Sequence, residues 1–269
     1  MILKIKHETK YEFSEPSNYG VFEARVIPSD NPVQSVRSWS TEISGAEVEA
    51  NFRDCHCNPV KLASINAPAR SLGFIAAGIV ETRDTAGILG PDDCAPPPAY
   101  YLRETRLTQA RDGVRDLASR LGNPRASNVA SMHDLSGIVR EAIKYEVGAT
   151  DSKTPAEDAV AAGRGVCQDH AHIFLSAARH MGVPARYVSG YLFVDDRIDQ
   201  EASHAWAEVF LAGLGWTGFD IANGISPDDR YVRLSVGLDY GDCAPIRGTR
   251  IGSGRSRISE RLRVEKVGE

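Results

Sequence analysis

Gly163-Arg164-Gly165-Val166-Cys167-Gln168-Asp169-His170-Ala171-His172 is where a glycine-rich turn gives way to apolar residues of helical period. Cys167, Ala171, Phe174, Ala178 and Met181 fall on one face, and Gly182 and Pro184 mark the end of that helix. A cysteine in a first helical turn faces the positive end of the macrodipole and several unpaired N–H groups. Both favour the thiolate, which is the nucleophilic form. A solitary cysteine is more often a small buried hydrophobe, so the weight of the reading rests on its neighbours.

Upstream, Thr154-Pro155-Ala156-Glu157 combines an N-cap residue, proline at the first helical position and glutamate three after the cap. That pattern predicts a short helix running to Gly163. Two longer helical patterns precede it. One spans Leu107–Leu121 and ends at Gly122-Asn123-Pro124; the other spans Met132–Val147. Downstream come a strand over Ala185–Phe193, an acidic loop (Asp195, Asp196, Asp199, Glu201) read as solvated, and two strands joined by a tight turn. A further strand lies near Tyr231–Leu238.

The tight turn permits a register argument. With Leu211-Ala212-Gly213 as a three-residue turn and Gly213 left-handed, Phe210 opposes Leu214. Counting outward sets Glu208 opposite Trp216, Trp206 opposite Gly218 and His204 opposite Asp220. Opposed residues share a face with Cβ atoms ~5 Å apart. A carboxylate so placed fixes an imidazole tautomer and stabilises the imidazolium. A one-residue slip would break the pairing, whereas a two-residue change keeps it. Ala205, Ala207 and Val209 then face the opposite way. The hairpin alone does not bring His204 to Cys167.

Residues 1–85 read as β. Leu3, Ile5, His7, Thr9, Tyr11 and Phe13 alternate with polar neighbours, and runs follow near Val21–Ile27, Gln34–Ile43, Glu47–Phe52, Val60–Ile65 and Gly73–Glu81. Strands at that spacing predict a β-sandwich. Gly90-Pro91-Asp92-Asp93 and Pro96-Pro97-Pro98 suit a linker or wrapping loop. The basic tail from Arg247 contains Leu262 and Val264 alternating with charge, a half-exposed strand rather than a disordered arm. The expected organisation is a β-sandwich (1–90), a linker (91–105), an α+β core (106–246) and a C-terminal strand (247–269) able to return to the sandwich.

Bulk composition excludes several classes. A net charge of −5 gives no footprint for nucleic acid. No apolar run approaches a membrane span, and the N-terminus alternates rather than forming a signal peptide. The five cysteines (55, 57, 94, 167, 243) are an odd number without a secretory address. The expectation is therefore no disulfide framework and a cytoplasmic, reduced protein. Cys55 and Cys57 form C-x-C without a second Cys/His pair at finger spacing, which does not suggest structural zinc.

Three ordered blocks carry a family resemblance. They are Gly163–His172 with Gly182-Val-Pro-Ala-Arg-Tyr-Val-Ser-Gly-Tyr-Leu192, Ser203-His-Ala-Trp-Ala-Glu-Val209, and Gly215-Trp-Thr-Gly-Phe-Asp220. Together they resemble the bacterial transglutaminase-like cysteine protease family. Val236–Pro245 is similar to the family's next block, and residues 1 to about 85 resemble the β-domain that precedes such cores. The resemblance implies a papain-like α+β core with Cys167 as nucleophile, His204 as base and Asp220 orienting it. It also makes Tyr145 a candidate second oxyanion donor. Ile221-Ala222 stands where the family more usually has Pro-Thr before Asn223, and His170 replaces a residue more often aromatic.

Gln168, beside the nucleophile, is a candidate substrate contact, and Trp206 either walls the acyl site or fills the core. Asp169 is expected to serve the helix N–H groups. His172 is expected to hydrogen-bond within the core. The implied chemistry is acyl transfer from an amide or peptide bond through a thioester. Water resolves the thioester in a peptidase or amidase; a lysine amine resolves it in a transglutaminase. A non-catalytic binding protein on the same fold is the remaining alternative, against which the intact Cys, His and Asp argue. The scheme needs no metal or organic cofactor and expects a peptide or protein substrate.

Overall fold

Alternation builds the N-terminal part of the computed structural model, which describes all residues except 123–126, 196–198, 201–202 and 269, with only the backbone of 199–200. In β1 (Ile2–Ser17), Leu3, Ile5, His7, Thr9 and Phe13 are buried while Lys4, Lys6 and Lys10 are exposed. β1 is the central strand of an antiparallel sheet ordered β11 (Asp199–Gln200), β16 (Ser256–Lys266), β1, β6 (Ala69–Thr82) and β3 (Gln34–Ser44). A second sheet runs β15 (Ile246–Ile251), β2 (Tyr19–Ala24), β5 (Pro59–Ile65) and β4 (Glu47–Arg53). Phe13, Leu72 and Phe74 from the first and Phe22 and Ile65 from the second fill one buried cluster. β16 pairs with β1 from Leu3↔Lys266 to Phe13↔Ser256, so both chain ends lie in one sheet.

The third sheet is ordered β14 (Tyr231–Gly237), β10 (Ala185–Leu192), β12 (His204–Leu211), β13 (Gly215–Phe219) and β7 (Ile88–Gly90). Helices α1 (Asp112–Ser119), α2 (Val129–Ala142), α3 (Ala156–Ala162) and α4 (Cys167–His180) pack beside it, and α5 (Tyr240–Cys243) follows β14. Ala171, Phe174 and Ala178 of α4 share a buried cluster with Ala205, Ala207 and Val209 of β12, the face expected to pack inward. Leu3, Ile5, Val80, Leu262 and Val264 of the first sheet meet Tyr191, Phe193, Val232 and Leu234 of the third part of the chain. That shared apolar cluster joins the two halves.

Three local expectations are corrected. Met132–Val147 does not form one helix. α2 stops at Ala142, and Lys144–Tyr145 becomes β8, parallel to β9 (Arg164–Gly165). Ile143 is extended (φ −119°), and the N–H groups of Lys144 and Glu146 donate to Gly163 and Gly165 carbonyls at 3.0 and 2.9 Å. The helix expected over Leu107–Leu121 is confined to Asp112–Ser119; Asn123 and Pro124 lie outside the described residues. The capping box expected at Thr154–Glu157 is also absent. Thr154 turns to Asp151, while Glu157 accepts from the N–H groups of Arg111, Gly113 and Val114 at 2.6, 3.1 and 3.0 Å. Glu157 thus satisfies the orphan donors opening α1 rather than those of its own helix.

The cysteine reading also changes. Cys57 and Cys94 form a disulfide with Cα atoms 5.9 Å apart. No local signal could reveal this, because 37 residues separate the pair and a loop brings Cys94 back onto the 54–58 turn. Cys57 holds a left-handed backbone (φ 63°), unusual for a residue with a Cβ. Disulfides persist in oxidising surroundings, so cysteine usage no longer argues for a reduced compartment. The bridge anchors a strap, residues 91–102. Its Asp92 accepts from buried Arg186 at 2.9 Å, and its buried Tyr101 meets the Trp216 ring at 5.2 Å.

Candidate active site

Cys167 is the first residue of α4 and half-buried. Gly163 delivers it: its left-handed backbone (φ 63°) ends α3 and lets the chain turn directly into β9. Asp169, in the first turn of α4, accepts from the Val166 N–H at 2.7 Å and the Thr150 hydroxyl at 2.6 Å. It therefore serves the helix start, as its position suggested. Burial raises the Asp169 carboxyl above its ordinary range, opposed by those two donors.

The hairpin forms with a register different from the expected one. Phe210 opposes Trp216 and Leu211 opposes Gly215, so the turn is Ala212-Gly213-Leu214. Both Gly213 (φ 82°) and Gly215 (φ 79°) are left-handed, and the turn moves one residue along the chain. The partner shifts by two residues, which preserves the face. His204 and Asp220 are consequently diagonal rather than opposed. Their side chains still meet, with His204 Nε2 2.6 Å from Asp220 Oδ2.

The Cys167 side chain lies beside the His204 imidazole and, after Asp220, is the next group acting to raise its pKa. Since Nε2 faces Asp220, the remaining ring nitrogen, Nδ1, is the one left for sulfur. Burial pulls the imidazole down, but the hydrogen bonds and negative charge of Asp220 and Cys167 outweigh it and push its pKa up to about 10. Asp220 is fully buried. Burial alone would raise its carboxyl, yet donors from His204, Tyr231 and Asn223 hold it below its ordinary range. Cys167, His204 and Asp220 are thus brought together, with His204 between the other two.

β8 places Tyr145 alongside Gly165, two residues before Cys167. The Tyr145 hydroxyl lies close to Cys167. Burial raises the phenol, followed by charge on Cys167 and Asp220. Gln168 is half-buried beside them. Trp206 is buried, with its ring nearly parallel to the His204 imidazole at 6.3 Å (interplanar angle 26°).

His170 turns away from the thiol. Its ring nitrogens lie 2.9 Å from the Val166 carbonyl and 3.1 Å from the Ile143 carbonyl, locking α4 to the end of α2. His172 is buried and accepts from the Tyr240 N–H at 3.1 Å; burial, then Arg179, lowers its pKa to about 3. Of the acidic loop preceding the hairpin, Asp196 and Glu201 lie outside the described residues, as does the Asp199 side chain.

Two partners of Asp220 escaped the sequence reading. Asn223 donates its side-chain N–H to Oδ2 at 2.7 Å and its backbone N–H to Oδ1 at 3.1 Å. Asp-x-x-Asn followed by glycine is a turn signal that carried this information. Tyr231 donates its hydroxyl to Oδ2 at 2.7 Å from another strand, and nothing local marked it.

Comparison with known proteins fits this architecture. Residues 115–221 match the transglutaminase-like superfamily, and residues 3–81 match the bacterial transglutaminase-like N-terminal region. The chain carries a transglutaminase-like core preceded by a bacterial transglutaminase-like N-terminal region. Its transglutaminase-like core contains α4 and the β12–β13 hairpin, and the matched N-terminal region contains β1–β5 and most of β6. Among relatives, the uncharacterized protein ML0607 of Mycobacterium leprae is 28% identical over 98% of this chain and 99% of its own length. The uncharacterized protein Rv2569c of Mycobacterium tuberculosis is 29% identical over 91% of this chain and 86% of its own. The crystal structure of a candidate cysteine protease from Cytophaga hutchinsonii superposes with a TM-score of 0.79 at 20% identity, covering 100% of this chain and 91% of that one. At that identity the likeness speaks for the fold.

Proposed function

We propose that this transglutaminase-like protein is a cysteine-nucleophile acyl-transfer enzyme that hydrolyses amide or peptide bonds. One arrangement carries the reading: the His204 imidazole sits between Cys167, the first residue of α4, and Asp220, whose Oδ2 lies 2.6 Å from its Nε2. In the proposed sequence the Cys167 thiolate attacks the substrate carbonyl carbon and forms a C–S bond. The negative oxygen that results is stabilised by N–H groups at the start of α4 and the Tyr145 hydroxyl. As the C–N bond breaks, the His204 imidazolium gives its proton to the departing amine. Asp220 fixes the imidazole tautomer and stabilises its charged form. Water, deprotonated by the now neutral His204, attacks the thioester and releases the acid and the thiol.

Trapping the acyl-enzyme from a peptide library and weighing the intact protein tests this directly. The expected result is an added acyl mass on Cys167 that disappears with time in water. Cys167→Ala is expected to keep its circular dichroism spectrum and to accumulate no adduct. If product forms only when a lysine analogue is supplied, the thioester is resolved by amines and the protein is a transglutaminase. If Cys167→Ala turns over peptide as fast as the native protein, covalent catalysis by Cys167 is ruled out.

A further inference from the structure

Three donors converge on one oxygen of Asp220. His204 Nε2 lies at 2.6 Å, the Tyr231 hydroxyl at 2.7 Å and the Asn223 side-chain N–H at 2.7 Å, all on Oδ2, whereas among the described residues Oδ1 takes only the Asn223 backbone N–H at 3.1 Å. A carboxylate oxygen offers about two lone-pair sites. Tyr231 and Asn223 therefore compete with His204 for the same electron density. Tyr231 is the better placed competitor: it opens β14 and is buried, and its ring meets the Trp206 ring edge-on at 5.4 Å and the imidazole at 6.0 Å. The titratable groups facing the pair from neighbouring elements are Cys167 of α4, Tyr145 of β8 and Tyr231 of β14, with Asp228 acting on Tyr231 from the preceding loop.

We propose that Tyr231 is a positioning residue that, by sharing Oδ2, both orients Asp220 and limits how tightly it holds the His204 imidazolium. The inference rests on the functional reading above, in which His204 must keep its proton during attack and surrender it to the leaving amine. An imidazolium gripped by an unshared carboxylate is a weaker acid and a slower donor. One that receives no help loses its proton before the thioester forms. A hydroxyl on the same oxygen sets that balance from β14.

The test is the pH dependence of Cys167 alkylation by iodoacetate. This anion reacts fastest while the imidazolium is present, so its rate falls when His204 deprotonates. Tyr231→Phe removes the hydroxyl and keeps the ring. The expected result is that the alkaline fall moves upward by about half a pH unit or more, because Asp220 is freed to hold the imidazolium. Asn223→Ala, at an exposed turn position, removes another donor to the same oxygen and is expected to move it in the same direction. This keeps the proposal testable should Tyr231→Phe fold poorly.

Superimposable profiles for native and variant proteins, or a downward shift, would overturn the role of Tyr231 and leave the nucleophile standing. If native Cys167 reacts no faster than Cys55 near pH 6, the functional reading itself fails and the inference falls with it.

Discussion

His204 is half-buried, and its loss of water works against its charge, yet Asp220 and the neighbouring Cys167 side chain hold the proton on it. The direction of that balance fixes a pH dependence. Turnover is expected to decline as pH rises through about 10, where the imidazolium is lost. Stability follows the same sign. A group whose pKa is raised in the folded state contributes fully below its ordinary value of 6.5, and the contribution fades between there and about 10. Asp220, held low, adds its share above its ordinary range and loses it as pH falls through the depressed value. Denaturation midpoints of native and His204→Gln proteins check this: the gap between them is expected to be wide near neutrality and to close at alkaline pH. An unchanging gap would mean that the pair does not control the titration.

On β12 the two faces do different jobs. Ala205, Ala207 and Val209 pack against α4, while His204, Trp206 and Glu208 look the other way. Glu208 is buried and accepts from Arg186 at 2.6 Å and Arg233 at 2.9 Å, and the Arg186 guanidinium lies 3.9 Å from the Trp216 ring centroid. Removing one member of such a buried cluster strands the rest. Arg186→Ala is expected to lower stability by about 3–5 kcal/mol, read from urea unfolding by tryptophan fluorescence; a loss below about 1 kcal/mol would place the charges in better contact with solvent than their burial indicates.

The two faces of β12, the alternation of β1 and the apolar stripe of α4 were all legible in the sequence, because each depends only on local period. The turn between β12 and β13 was legible in parity but not in position, since two nearby glycines can each go left-handed. Ile143–Val147 read as helix because its apolar spacing continues that of α2, whereas pairing with Arg164–Gly165 overrides it. Tyr231 and Glu157 act on partners in other elements, and spacing along the chain carries no trace of that.

For the molecule as a whole, the strap and the returning C-terminus hold the two halves together. The Cys57–Cys94 bridge closes a 37-residue separation, and cross-linking a loop of that size stabilises by roughly 3–4 kcal/mol on chain-entropy grounds. Cys94→Ser is therefore expected to melt at a lower temperature and to expose the strap to limited proteolysis. Equal melting of the variant and the native protein would mean that Asp92 and Tyr101 alone fasten it. The pairing of β1 with β16 has a different reach, because it bears on how the protein is made. β1 leaves the ribosome about 240 residues before β16. The earlier segment must wait, with one hydrogen-bonding edge open, until residues 256–266 have been made. The helices and hairpin that carry Cys167, His204 and Asp220 emerge within that interval, so the candidate site is synthesised before the sheet of β1 and β16 can close.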